Sequence, residues 1–221
     1  MVISSSLAPT TRGTSQAPTQ CLRVDETRIC IWTPDRSPIP SSSRSPHPLK
    51  LSTAIRTGHG ANIFSAKFLP NAGTPTVVTV AGDHEIRLLE IERLSGTGEP
   101  GVERWAHGGT GLVLAVCEQK KADLGSVKVL KCHKDRTKRI ATENSPFLFM
   151  TVSEDGTVRQ HDLRRPHRCR SECPDPLFRA PQGVDLYSLS VSPVAPHIFA
   201  VAGRTDTVSH DLQLISFERD G

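Results

Sequence analysis

The chain has 221 residues, 36% of them apolar, with 27 basic and 23 acidic side chains for a net charge of +4. That near balance, with the basic residues gathered in two loop-like clusters at 131–139 and 159–170, argues against a nucleic-acid face, which concentrates positive charge on one surface. No apolar run approaches the roughly 20 residues that cross a bilayer, no signal-peptide pattern opens the chain, and the six cysteines are expected to be reduced thiols in a nuclear or cytoplasmic setting.

Residues 1–24 are Ser/Pro/Thr-rich and offer too little apolar surface to offset the entropy of ordering, so they are expected to form a disordered tail. The packed part is expected over 25–214, with 215–221 as a second tail. In DETRICIWT (25–33), Ile29, Ile31 and Trp32 are spaced like the third strand of a unit whose opening strands are missing. Residues 34–48 read as a flexible loop, and LKLSTAIRT (49–57) as the outer strand of that first unit.

Three short strands follow: NIFSAKFLP (62–70), the β-branched TVVTVAG (76–82), and EIRLLEIE (85–92). The stretch 94–126 fits no strand register and is expected to be a poorly ordered insertion; the other reading is that LVLAV (112–116) hides a further strand. The meander then recurs in RTKRIAT (136–142), FLFMTVS (147–153) and TVRQHDL (157–163). A third unit comprises DLYSLSVSP (185–193), HIFAVAG (197–203) and the run around DTVSHDL (206–212). No segment keeps apolar residues at helical spacing over three turns, so the fold class is all-β.

The units share their punctuation. Gly58-His59 precedes Asp83 by 24 positions, and Cys132-His133 precedes Asp155 by 22. An internal repeat of this kind constrains architecture more than a single motif does. Together with SEDGTVRQHDLR (153–164), these residues resemble the WD-repeat family of β-propellers, in which each unit of about 40 residues carries a GH near its start and a WD at the end of its third strand. More narrowly, TGHGANIFSAKFLP, HKDRTKRIATENSP, SEDGTVRQHDLR and DLYSLSVSPVAPH resemble substrate receptors of cullin-4 RING ubiquitin ligases, the group that includes the WD and tetratricopeptide repeat protein. The resemblance covers about residues 24–93 and 127–212.

The resemblance implies a partial β-propeller of about three to four blades where the family uses about seven. It implies a protein-protein interaction scaffold, not an enzyme, with protein partners and no cofactor, small-molecule substrate or membrane. Shortness of the arc and the unpatterned 106–126 point to a fragment or a faulty gene model. In the family the His bonds the turn Asp, and the network continues through a strand Ser/Thr to the Trp. Carried over, His59 pairs with Asp83, and His133 with Asp155 and Ser153, while Leu89 and His161 hold the Trp positions. Both polar chains are therefore expected to be incomplete and both blades less stable for it.

Receptors of this kind dock on the ligase's damaged-DNA-binding adaptor through W-D-x-R. The matching residues are His161, Asp162, Leu163 and Arg164, with Arg165 extending the basic surface. Asp162, Arg164 and Arg165 are thus the implied partner-binding residues, Arg164 through bidentate, charge-assisted bonds to a partner carboxylate or carbonyls. Alternatives are a WD-repeat scaffold of a chromatin or RNA-processing assembly, or a non-functional fragment.

Other chemistries find less support. His161, His167, Cys169 and Cys173 offer zinc-type ligands, but the second ligand pair of a firm knuckle is missing. Ser153, Glu154 and Asp155 beside His133 are better explained by the repeat than by a catalytic triad, and no nucleophile-elbow or zinc-protease motif occurs.

Overall fold

The computed structural model describes residues 2–3, 21–34, 49–91, 102–103, 127–165, 173–195, 197–205 and 213–218. Within them the chain forms four antiparallel sheets. The first holds β1 (Val2–Ile3), β2 (Cys21–Asp25), β3 (Arg28–Pro34) and β4 (Leu49–Arg56), with β8 (Val102–Glu103) added at the outer edge of β4. The second is β5 (Ile63–Phe68), β6 (Thr76–Ala81), β7 (Ile86–Glu90) and β9 (Val127–Leu130). The third is β10 (Thr137–Thr142), β11 (Leu148–Ser153), β12 (Thr157–Asp162) and β13 (Phe178–Arg179), and the fourth is β14 (Val184–Val191), β15 (Ile198–Thr205) and β16 (Gln213–Glu218).

Successive sheets lie side by side, with β2 against β5, β5 and β6 against β10, and β10 and β11 against β14. This is a partial β-propeller. Among the described residues its core is three separate apolar seams, one per sheet-sheet junction. Leu22, Ile29, Ile31 and Ile55 meet Phe68, Val77 and Leu89 between the first two sheets. Val78, Val80, Ile86 and Leu88 meet Ile140 and Phe149 in the second junction. Met150, Val152 and Val158 meet Leu186, Leu189, Phe199 and Val201 in the third.

Sequence pattern follows from this stacking. In β6 and β11 every residue after the first is buried, because a neighbouring sheet covers both faces, so strict alternation is lost. In β14 it returns: Leu186 and Leu189 face the third sheet, whereas Ser188 and Ser190 are exposed. In β6 and β11 the positions equivalent to Ala200 and Ala202 are Val78 and Val80, and Met150 and Val152. The far face of the fourth sheet therefore carries small and polar groups where the earlier sheets carry large apolar ones.

Two boundaries differ from expectation. The first unit does have an opening strand: β2 begins at Cys21, inside the stretch expected to be a tail, and pairs along β3. Leu22 is fully buried and Val24 packs on the first seam, an alternation that the Ser/Pro/Thr average of the preceding residues hides. The last strand of the third unit is β16 at Gln213–Glu218, running on through residues expected to be a tail. Residues 206–212, where that strand was expected, lie outside the described residues, as do 35–48 and the LVLAV stretch. Within 94–126 the two-residue β8 is described, paired with Ala54 and Ile55.

Candidate interaction rim and the polar chains behind it

The third sheet is organised around a buried polar chain. Asp155 sits in the β11–β12 turn, where Gly156 takes φ 73. Burial alone would raise its carboxyl, but hydrogen bonds and charge from His133, with bonds from Thr157 and the Lys134 N–H, hold it well below the usual carboxylate range. An ionised Asp155 requires His133 Nδ1–H as donor, at 3.0 Å. His133 Nε2 lies 2.8 Å from the Thr151 hydroxyl, whose proton it can accept. Thr151 has one proton, so when that proton goes to His133, His161 Nε2–H donates to the Thr151 oxygen at 2.8 Å. That leaves His161 Nδ1 as an acceptor facing the Cys132 thiol at 4.0 Å. The contacts run without a break from Cys132 to Asp155.

This arrangement corrects two expectations. The strand hydroxyl in the chain is Thr151, not Ser153, which bonds the Asp135 carbonyl at 2.8 Å and receives the Asp155 N–H at 3.2 Å. His161 does not leave the chain incomplete: its Nε2–H takes the role of an indole N–H, and its ring stacks on Phe149 with centroids 4.8 Å apart. The β11–β12 register sets Phe149 opposite His161, which is why ring meets ring.

In the second sheet the first two links are the same. His59 Nδ1–H donates to Asp83 at 3.0 Å, and the Thr79 hydroxyl lies 2.9 Å from His59 Nε2. Burial, partly offset by Asp83, holds His59 below the ordinary imidazole value. The position facing Val77 is Leu89, buried and without a donor, and Thr79 Oγ1 instead lies 3.3 Å from the Arg87 carbonyl. This chain does stop short. Arg87 ties the sheet differently, with Nη1 on the Thr57 carbonyl at 3.0 Å and Nε and Nη2 on Glu85 Oε2. Gly58, at φ 78, lies against that guanidinium, where a Cβ would come within 2.4 Å of Nη1.

His161 also positions the candidate site. It anchors the end of β12 inside the seam, and the next residue, Asp162, emerges at the rim. Asp162 there accepts two parallel bonds from Arg164, Nε to Oδ1 and Nη2 to Oδ2, each at 2.9 Å. Those hydrogen bonds, with the Arg164 charge, hold the Asp162 carboxyl below its ordinary value. Arg165 is more exposed and 3.9 Å from Asp162. The three expected partner-binding residues are therefore together on the surface, but the fork of Arg164 is already occupied by Asp162. Phe147, expected inside a strand, lies just before β11, with its ring centroid 5.8 Å from Arg164 Cζ.

At the opposite rim, the opening strands of the second, third and fourth sheets have a register shift at the same place: between Ile63 and Ser65, Thr137 and Arg139, and Leu186 and Ser188. The skipped residues are Phe64, Lys138 and Tyr187, and bulges re-aim side chains. Lys138 Nζ lies 4.0 Å from the Phe64 ring centroid and 5.3 Å from that of Tyr187, and 2.8 Å from Glu154 Oε1. Beside Glu154, a cleft of about 340 Å³ opens between the β11–β12 turn and residues 179–185.

Metal-ligand geometry is confined, among the described residues, to His59, Asp83 and Glu85. Glu85 is taken by Arg87 and Lys131 at 2.6 and 2.7 Å, cations that would repel a metal ion. Of the zinc-type residues, His161 is committed to the buried chain, and His167 and Cys169 lie outside the described residues.

No protein-family model matches the chain. It is similar to the WD repeat protein iqw1 of Schizosaccharomyces pombe, 30% identical over 81% of this chain and 19% of that protein. It is 31% identical to the human DDB1- and CUL4-associated factor 6 over 71% of this chain and 15% of that protein. With the human WD and tetratricopeptide repeats protein 1 it shares 29% identity over 75% of this chain and 20% of that protein. The chain spans about a fifth of the length of the curated relatives it matches.

Proposed function

With a WD-repeat propeller arc as the premise, we propose that the chain is a substrate receptor of a cullin-4 RING ubiquitin ligase, acting in the nucleus or cytoplasm. It docks on the ligase's DDB1 adaptor through the rim that carries Asp162, Arg164 and Arg165. The coarser part, a protein-interaction scaffold, is supported by the similarity to WD-repeat proteins, one of them named for association with DDB1 and CUL4. The observation that carries the finer part is the exposed Asp162–Arg164 pair at the end of β12, which keeps the D-x-R portion of the docking signature in fixed geometry. A guanidinium held by one carboxylate loses little further freedom on binding. Two of its five N–H groups are used on Asp162, leaving others for a partner.

The test is direct binding of the purified 221-residue chain to purified DDB1, intact and with Arg164→Ala. Saturable binding weakened about tenfold by the substitution is the expected result. Absence of binding by an intact chain that unfolds cooperatively would reject the ligase reading and favour a different WD-repeat assembly. Absence of a cooperative transition would favour a non-functional fragment.

A further inference from the structure

Among the described residues two large apolar side chains are exposed, Phe147 at 46% and Val194 at 91%. Both lie between the first and second strands of their sheets, within 143–147 and 192–195. Those loops are at the end of the arc opposite the Asp155 turn, the same end at which Asp162 and Arg164 emerge. Asn71 and Asn144, from the corresponding loops of the second and third sheets, bond each other at 3.0 Å along that rim.

The Phe147 backbone is held on both sides. Its N–H donates to Ser145 Oγ at 3.2 Å, and its carbonyl accepts the Leu163 N–H at 2.9 Å. The Arg164 guanidinium, clamped by Asp162, stands over one side of the ring. Val194 is likewise held at the tip of a closed turn, by Ala195 N–H to Ser192 Oγ at 3.1 Å and Ile198 N–H to the Ala195 carbonyl at 2.9 Å. The aromatic rings of the opposite rim differ, because Phe64 and Tyr187 carry the Lys138 ammonium on their faces. A half-exposed aromatic on a held backbone and bordered by a held cation is the composition of an interface anchor. Arg164, its fork filled by Asp162, is better suited to border such an anchor than to be one.

We propose that Phe147 is the anchor of the docking rim, entering an apolar pocket of the adaptor whose edge carries a carboxylate facing Arg164 and Arg165. This rests on the docking reading above. Purified DDB1 is titrated with the intact chain and with Phe147→Ala, Phe147→Leu, Arg164→Ala and Val194→Ser. Phe147→Ala is expected to weaken binding about 30-fold or more, Phe147→Leu about threefold, and Arg164→Ala about tenfold. Unchanged thermal midpoints exclude a folding defect; should the alanine variant unfold, 4-fluorophenylalanine at position 147 gives a second readout, a fluorine resonance that shifts on adding DDB1. Intact binding with Phe147→Ala within twofold, or with an unmoved fluorine resonance, overturns the anchor and leaves the docking reading standing. No binding by the intact chain overturns both.

Discussion

His161 Nε2 lies 2.8 Å from Thr151 Oγ1, and this contact closes a polar chain in a sheet that lacks the tryptophan its repeat calls for. The equivalent position in the second sheet is Leu89, which offers no donor. Two neighbouring sheets built on one repeat thus part at this link. His161→Leu, which installs the second sheet's solution in the third, removes a buried bond and leaves Thr151 one donor short, at a cost of about 1–3 kcal/mol. His161→Ala adds a cavity beneath Phe149 and is expected to cost about 2–5 kcal/mol. Urea unfolding midpoints of the two variants measure both.

Thr151 serves two histidines, whereas Ser153 serves the turn. Thr151→Val leaves His133 Nε2 without its donor and His161 Nε2 without its acceptor, and is expected to cost about 2–4 kcal/mol. Thr79→Val, with one histidine at stake, is expected to cost about 1–2 kcal/mol. Equal losses in a thermal or urea comparison would count against the extended chain.

His84 takes φ 66 in the β6–β7 turn, the position that Gly156 fills at φ 73 in the β11–β12 turn. A residue with a Cβ pays roughly 1 kcal/mol for that left-handed conformation. His84→Gly is therefore expected to stabilise the chain by about 0.5–1 kcal/mol, less the added entropy of a glycine in the unfolded chain. Gly58→Ala acts in the opposite direction, since it adds strain at φ 78 and displaces the Arg87 guanidinium from Thr57 and Glu85.

Acid should destabilise the arc in two windows. Burial holds folded His59 below its ordinary value, so the unfolded chain, protonating near pH 6.5, binds the extra proton first and stability falls as pH drops below about 6.5. Asp83 and Asp155 are also held below their ordinary values, through the Gly60 N–H and His59 for Asp83 and through His133 for Asp155. Their contribution is present above the unfolded value of about 3.9 and is lost as pH falls through the lower folded values. Denaturation midpoints from pH 8 to 3 should show both declines. In His59→Gln the upper decline should shrink and the lower one persist.

The repeat was legible because its punctuation is spaced: a His and an Asp 24 and 22 positions apart are the residues that meet at 3.0 Å. Ser153 and Thr151 were not separable by periodicity, because residues two apart on a strand share a face. Depth decides between them, and depth depends on the register of β11 with β10 and β12. The replacement of an indole by His161 was hidden because it depends on tautomer and ring stacking, not on residue class. β2 was masked by the composition before it, although Leu22 and Val24 carry the alternation. Phe147 read as an interior strand residue because an apolar run gives no sign of where the ladder begins; β11 starts one residue later.

On the docking proposal, one rim of the arc, the end bearing Phe147, Asp162 and Arg164, meets DDB1. Amide hydrogen exchange of the purified chain, alone and saturated with DDB1, tests it most directly. Protection gained within 143–147 and 162–165, with 153–157 unchanged, is the predicted result. Protection gained instead at the Asp83 and Asp155 turns, or nowhere along the chain, would contradict it.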